Sequence, residues 1–235
     1  MADDHPNAVP DLVRDLPQGE EDPDQVRDAA ALLHAWLSPS YPVGAYTYSH
    51  GLERAVEAGN VHDPASLGAW VGGVLAHGAG WTDAVLLAHA YRDPADAEIA
   101  ELAEALAPSA ERHLETMAQG RAFAEVTASA WGIDTIPAPY PVALGRAAAA
   151  AGIPLSALLP LYLQAFASNL ISAGIRLVPI GQTDGQRQLA GLLRHCAALA
   201  RRAEAAGLDD IGSAAFAADI ASMQHETQHT RLFRS

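Results

Sequence analysis

Near its C-terminus the chain reads His225-Glu226-Thr227-Gln228-His229, the HExxH spacing. On an α-helix, residues four apart share a face. Two imidazoles at that spacing reach one metal ion, and the glutamate between them is placed to activate a water. A catalytic zinc centre needs a third protein ligand. Six residues follow His229, and none of them is His, Asp or Glu, so a third ligand has to come from earlier in the chain. The opposing reading is a polar helix end, with the histidines near the negative pole of the helix. A zinc hydrolase built on His225, Glu226 and His229 is one alternative to a non-catalytic protein. A nickel carrier using its ten histidines is another.

The remaining candidates are weaker in type or spacing. The chain has no lysine, which excludes a P-loop lysine, a Schiff-base lysine and a lysine general base. Gly181-Gln182-Thr183-Asp184-Gly185-Gln186 offers backbone amides at a helix start, where a phosphate is readily bound. Without GxxxxGK[ST], the same residues read as a tight helix cap. GxSxG is absent. Cys196 is the single cysteine, so neither an internal disulfide nor a cysteine-rich zinc site exists. The other histidines are scattered. His50 stands out because it adjoins residues 38–53, SPSYPVGAYTYSHGLE, where Tyr41, Tyr46 and Tyr48 put three rings in eight residues. A loop that aromatic either plugs into the core or forms a contact surface. His50 either orients it, meets a partner, or caps the helix that follows.

The elements that must position these residues are helical. Half of the 235 residues are apolar, alanine is abundant and aromatics make up 6%, a composition suited to closely packed helices rather than a large sheet. The formal charge of −14 argues against nucleic acid as a partner. Residues 1–24 carry eight acids, one arginine and no aromatic residue, and are expected to be a disordered leader. No basic, apolar signal peptide opens the chain, no apolar run is expected to span a membrane, and a cytoplasmic location is expected.

Asp24 is expected to cap a helix over about 25–37, and a second helix runs from Ser49 to Ala58. Asp63-Pro64 and Asp93-Pro94 each read as a cap followed by proline at the first helical position. They open helices to about His77 and Ala107, with Trp81–Arg92 helical between them. Gly72 and Gly73 imply a closely packed neighbour. Ser109 caps a helix to about Trp131, ended by Gly132. A proline-rich connector, 133–141, leads to a helix over Val142–Ala151. Residues 155–178 are apolar nearly all round and are expected to form the central buried helix, broken at Pro160. Thr183 or Asp184 caps the next helix, and the last runs from about Ser213 to His225. The expectation is an all-α single-domain bundle of about ten helices over 25–235.

LSPSYPVGAYTYSHGLERAVEAG (37–59), ISAGIRLVPIGQTDGQR (171–187) and ASMQHETQHTRLFRS (221–235) together resemble the UreF family of urease accessory proteins. The three motifs occur in the family's order and the likeness covers about 29–235. Two departures stand out. His229 falls where the family often has an aromatic residue (HETQY), so HExxH reads as drift. YPVGAYTYS replaces the common LPVGGFSYS. The resemblance implies an all-helical homodimer without catalytic activity or cofactor. It also implies bridging of a UreD/UreH scaffold and the UreG GTPase on apo-urease, supporting GTP-dependent nickel insertion. On the same basis Arg231, Leu232, Phe233 and Arg234 are expected to order on the scaffold. Tyr48 and Glu53 are expected at the GTPase contact, with packing inside the chain as the opposing reading.

Overall fold

A computed structural model describes residues 23–234, so the expectation for the acidic leader falls outside the described residues except at its last two positions. Among the described residues there are ten α-helices, two single-turn 3-10 helices and no strand. The helices are α1 (Pro23–Trp36), α2 (Leu52–Glu57), α3 (Pro64–His77), α4 (Ala79–Arg92), α5 (Glu98–Ala105), α6 (Ala110–Trp131), α7 (Tyr140–Ala150), α8 (Leu155–Leu177), α9 (Gln182–Ala205) and α10 (Phe216–His225). The 3-10 turns are Ala45–Thr47 and Leu208–Asp210.

Several boundaries follow from local chemistry. Asp63 and Ser66 form a reciprocal capping box at the start of α3, with Pro64 at the first position. Ser109 accepts the amide of Arg112 at the start of α6, and Gly132 ends that helix at φ 66°. Other expectations are corrected. Asp24 lies in the first turn of α1 rather than before it. Asp93-Pro94 does not start a helix; Asp96 accepts the amide of Glu98 at 2.9 Å, and α5 begins there. α9 is capped by the backbone at Gly181, not by Thr183 or Asp184. Pro160 sits inside a continuous α8. α3 and α4 are separated by Gly78 alone, so α4 begins at Ala79 rather than at Trp81.

The helices share one hydrophobic core that runs from Leu33 and Trp36 of α1 to Phe233 beyond α10. α8 and α9 make the most extensive pairing, α4 lies on α7, and α3 packs on α9 and α4. The helix expected to be central is not the most buried one. α8 is long and apolar enough to cross a membrane, yet only half of its most apolar window is buried, and Leu161 is 39% exposed. The centre is α4, where Trp81, Ala84, Val85, Leu86, Leu87, Ala88 and Ala90 are all buried. α4 has neighbours on every side, and Gly145 of α7 allows close approach: a Cβ there would lie 2.5 Å from the Leu87 carbonyl oxygen. The expected close neighbour at Gly72 and Gly73 is only partly present. A Cβ at Gly72 would make an ordinary 3.5 Å contact with Leu192, whereas Gly73 faces open space.

Candidate functional site

α2, α6 and α10 converge on the C-terminal tail. α10 can lie against the start of α2 because Gly51, at φ 75°, leaves no room for a Cβ; one would come within 2.5 Å of the Ser222 amide. Ser109 and Ser222 hydroxyls then meet at 2.7 Å, tying α6 to α10. The chain leaves α10 at His225 and turns back over α2. Glu53, 8% exposed, receives the tail: Oε1 accepts the amide of Leu232 at 2.7 Å and Oε2 that of Phe233 at 2.9 Å. The Arg234 amide donates to the Thr47 carbonyl at 2.8 Å, joining the tail to the aromatic loop. Phe233 is buried, with the Arg176 guanidinium 4.3 Å from its ring centroid. Arg176 also donates to the Tyr46 carbonyl at 2.8 Å, so a single cation holds both tail and loop.

The HExxH residues have three separate fates. His225 is fully buried, with Nδ1 2.7 Å from Glu111 and Nε2 3.3 Å from Glu53. Arg231 donates to the other Glu111 oxygen at 2.7 Å. Glu226 accepts the Ala110 amide at 2.8 Å, an anion at the positive end of α6. His229 is exposed beyond the end of the helix. The shared helical face that HExxH requires is not formed. Among the described residues no group of three or more His, Cys, Asp or Glu is arranged to hold a metal.

Beneath the aromatic loop lies an ionic cluster that the sequence reading missed. His50 adopts φ 53°, unusual for a residue with a Cβ, and does not cap α2. Its Nε2 reaches Glu115 at 3.0 Å and Arg112 at 2.9 Å. Arg112 also pairs with Glu115 directly and lies 3.7 Å from Asp83, which accepts from the Tyr162 hydroxyl at 3.2 Å. Gln119 donates to Glu115 at 3.0 Å. Burial acts to raise the Glu115 carboxyl, but Arg112 and His50 outweigh it and bring it down to about 2. At Asp83 burial wins over Arg112, His50 and Tyr162, and the carboxyl is pushed up. The cluster lines a cavity of about 50 Å³ together with Tyr48 and Asn169, room for a few waters. A signal was present in the sequence: Arg112, Glu115, Gln119 and Phe123 follow the same three-to-four spacing, so the buried stripe of α6 is polar first and apolar after.

The expected site residues are thus brought together in part. Glu53 and Phe233 are the buried part of one latch, Arg231 joins it from the exposed side through Glu111, and Leu232, at 63%, and Arg234 are exposed. Tyr48 is buried beside the cavity, and Tyr46, at 59%, is the exposed ring of the loop. The loop both plugs the core and presents a ring. Arg176, Glu111, Asp83, Arg112 and Glu115 are the participants that sequence alone did not select.

Residues 61–193 match the family model described as UreF. A urease accessory protein UreF of Rhodopseudomonas palustris strain BisB5 is 55% identical over 218 residues, covering 86% of this chain and 90% of that protein. The UreF of strain HaA2 is 52% identical, covering 94% and 100%. That of Cereibacter sphaeroides strain KD131 is 53% identical, covering 88% and 100%. With most of its length matched at this level, the chain belongs to the UreF family of urease accessory proteins.

Proposed function

We propose that the chain is a non-catalytic assembly factor that works in the cytoplasm as a homodimer. In this reading it joins a UreD/UreH-type scaffold to a UreG-type GTPase on apo-urease and supports GTP-dependent nickel insertion. The observation that carries the reading is the Glu53 latch. The carboxylate of α2 holds the tail at Leu232 and Phe233, and the tail amide of Arg234 holds the aromatic loop at Thr47. A partner that grips Arg231, Leu232 and Arg234 therefore acts on the loop carrying Tyr46 and Tyr48. Exposed Phe216, Ile220 and Met223 form one apolar face of α10 leading into that tail, which suits a scaffold contact.

For the homodimer, the supporting feature is a groove of about 420 Å³ between α1 and α8, lined by Leu33, Leu37, Leu161 and Asn169 among others. Among the described residues no Asp, Glu or Arg lines it, in a chain of net charge −14. A two-fold contact sets identical surfaces face to face, so a charge-free surface avoids like-charge repulsion there.

Light scattering after gel filtration tests the assembly. The chain alone is expected to run as a dimer, to gain the scaffold, and then to gain the GTPase in the presence of GTP. A chain ending at Thr230 is expected to lose the scaffold. A full chain that ignores both proteins refutes the bridging role.

A further inference from the structure

α9 has a charge pattern opposite to that of the whole molecule. The chain has 28 acidic residues and 14 arginines, yet residues 185–203 hold four arginines and no carboxylate. Arg187, Arg194 and Arg201 are seven apart, so they follow one stripe of the helix at intervals of about 10 Å. All three are exposed, while Leu192, Cys196, Leu199 and Ala203 turn the opposite face into the core. The four arginines are not equivalent. Arg187 is held by Asp184 at 2.6 Å, and Arg202 stacks over Trp81, 4.7 Å from its ring centroid. Arg194 and Arg201 have no carboxylate or aromatic partner among the described residues. Along the stripe the surface is small: Ala190 and Gly191 are exposed between Arg187 and Arg194, Ala198 is exposed between Arg194 and Arg201 beside His195, and a Cβ at Gly191 would meet nothing within 4 Å.

We propose that this stripe of α9 docks an acidic helix of a partner protein, with carboxylates two turns apart facing Arg194 and Arg201. Guanidinium groups favour carboxylates through paired, planar hydrogen bonds. The small residues along the stripe let a second helix approach closely. A second copy of this face is excluded by charge, because a two-fold contact would set arginines against arginines. A lipid surface is disfavoured because the stripe has no large apolar side chain to insert. Nucleic acid is disfavoured by the net charge of −14. Exposed pairs of this kind add little affinity and act mainly on the association rate and on register.

The inference rests on the assembly reading for the proteins used to test it. Association and dissociation rates are measured for the full chain and for R194E/R201E against the UreD-type scaffold, the UreG-type GTPase and apo-urease. Salt is varied, and melting curves establish that the variant is folded. With at least one component the variant is expected to associate roughly tenfold more slowly at low salt and to lose most of the salt dependence, with dissociation changed by less than about threefold. If the chain binds its partners but the variant matches it in rate and salt dependence, the stripe is overturned and the assembly reading stands. If the chain binds none of them, both fall. Removal of residues 1–22 is run in parallel. If removal speeds association of the wild type but not of the variant, the stripe belongs to the chain's own acidic leader, which overturns the partner reading. Binding of anionic vesicles or a DNA duplex that is lost in the variant also overturns it.

Discussion

Replacing Glu53 with Gln is expected to release the C-terminal tail while the helices stay folded. The wild-type carboxylate accepts two backbone amides, from Leu232 at 2.7 Å and Phe233 at 2.9 Å. A glutamine keeps one acceptor oxygen and turns an NH2 group toward the other amide, so one charge-assisted bond is lost and one becomes neutral. Bonds to charged groups contribute about 1.5–3 kcal/mol each, so the loss is on the order of 2–3 kcal/mol. Ordering four tail residues costs roughly 4–8 kcal/mol. Burial of Phe233 contributes about 1.5–3 kcal/mol, and the two bonds to Glu53 together about 3–6. These opposing contributions balance to within a few kcal/mol, so losing one bond is enough to open the tail. Amide hydrogen exchange reads this directly. Protection at Leu232, Phe233 and Arg234 is expected to fall roughly 30- to 150-fold, as 1.4 kcal/mol corresponds to a factor of ten. The Ala110 amide, held by Glu226, is expected to keep its protection. Equal protection in wild type and variant would refute the latch, as would a wild-type tail that exchanges freely.

Other perturbations test the ionic cluster, the core and the HExxH residues. Glu115 has a folded-state value of about 2 against an ordinary 4.5, so its contribution is fully present above about 4.5 and lost as pH falls toward 2. The difference is on the order of 3 kcal/mol. Asp83, raised by burial, acts in the opposite sense, losing stability as pH rises. Denaturant titrations between pH 5 and 2.5 should therefore show an acid-side decline that Glu115→Gln flattens; parallel curves would remove the cluster from the acid response. Cys196 is buried and its thiol is pushed up to about 11, so a disulfide reagent should label it only as fast as the chain unfolds. Gly120→Ala drives a Cβ into the Ala138 carbonyl and should destabilise by about 1–3 kcal/mol, read as a lower Tm. Glu226→Ala should cost about 1 kcal/mol through the α6 N-terminus and leave the metal content by elemental analysis unchanged. Zinc lost with Glu226 would contradict the placement of that side chain.

Helix type and several boundaries were legible because they depend on neighbours in sequence. Asp63-Pro64 with Ser66, Ser109 before α6 and Gly132 after it satisfy orphan helix groups within a few residues. Asp93-Pro94 has the same local wording and failed, because Asp96 is drawn into a different set of bonds. It pairs with His89 at 2.8 Å, its carbonyl accepts from Arg146 at 2.6 Å, and its carboxylate caps Glu98. The last of these is local, but His89 and Arg146 come from α4 and α7. The apolar run of α8 was legible as a helix, but its depth was not. Burial counts neighbours in space, and α4 has more of them for its length.

The sequence by itself determined an all-helical chain and its family, and it singled out the aromatic loop and the tail. Those follow from periodicity, caps and wording that are written along one dimension. Only the tertiary structure decided what the chemically suggestive residues do. HExxH is sound as a spacing, but the helix ends at His225, so the shared face is lost. His225 is instead held by carboxylates 114 and 172 residues away in sequence. Glu53 and the tail are 179 residues apart and meet because Gly51 lets α10 lie against α2. Hydrogen bonds and ion pairs act over about 3–4 Å. Which side chains come that close is set by how the helices pack.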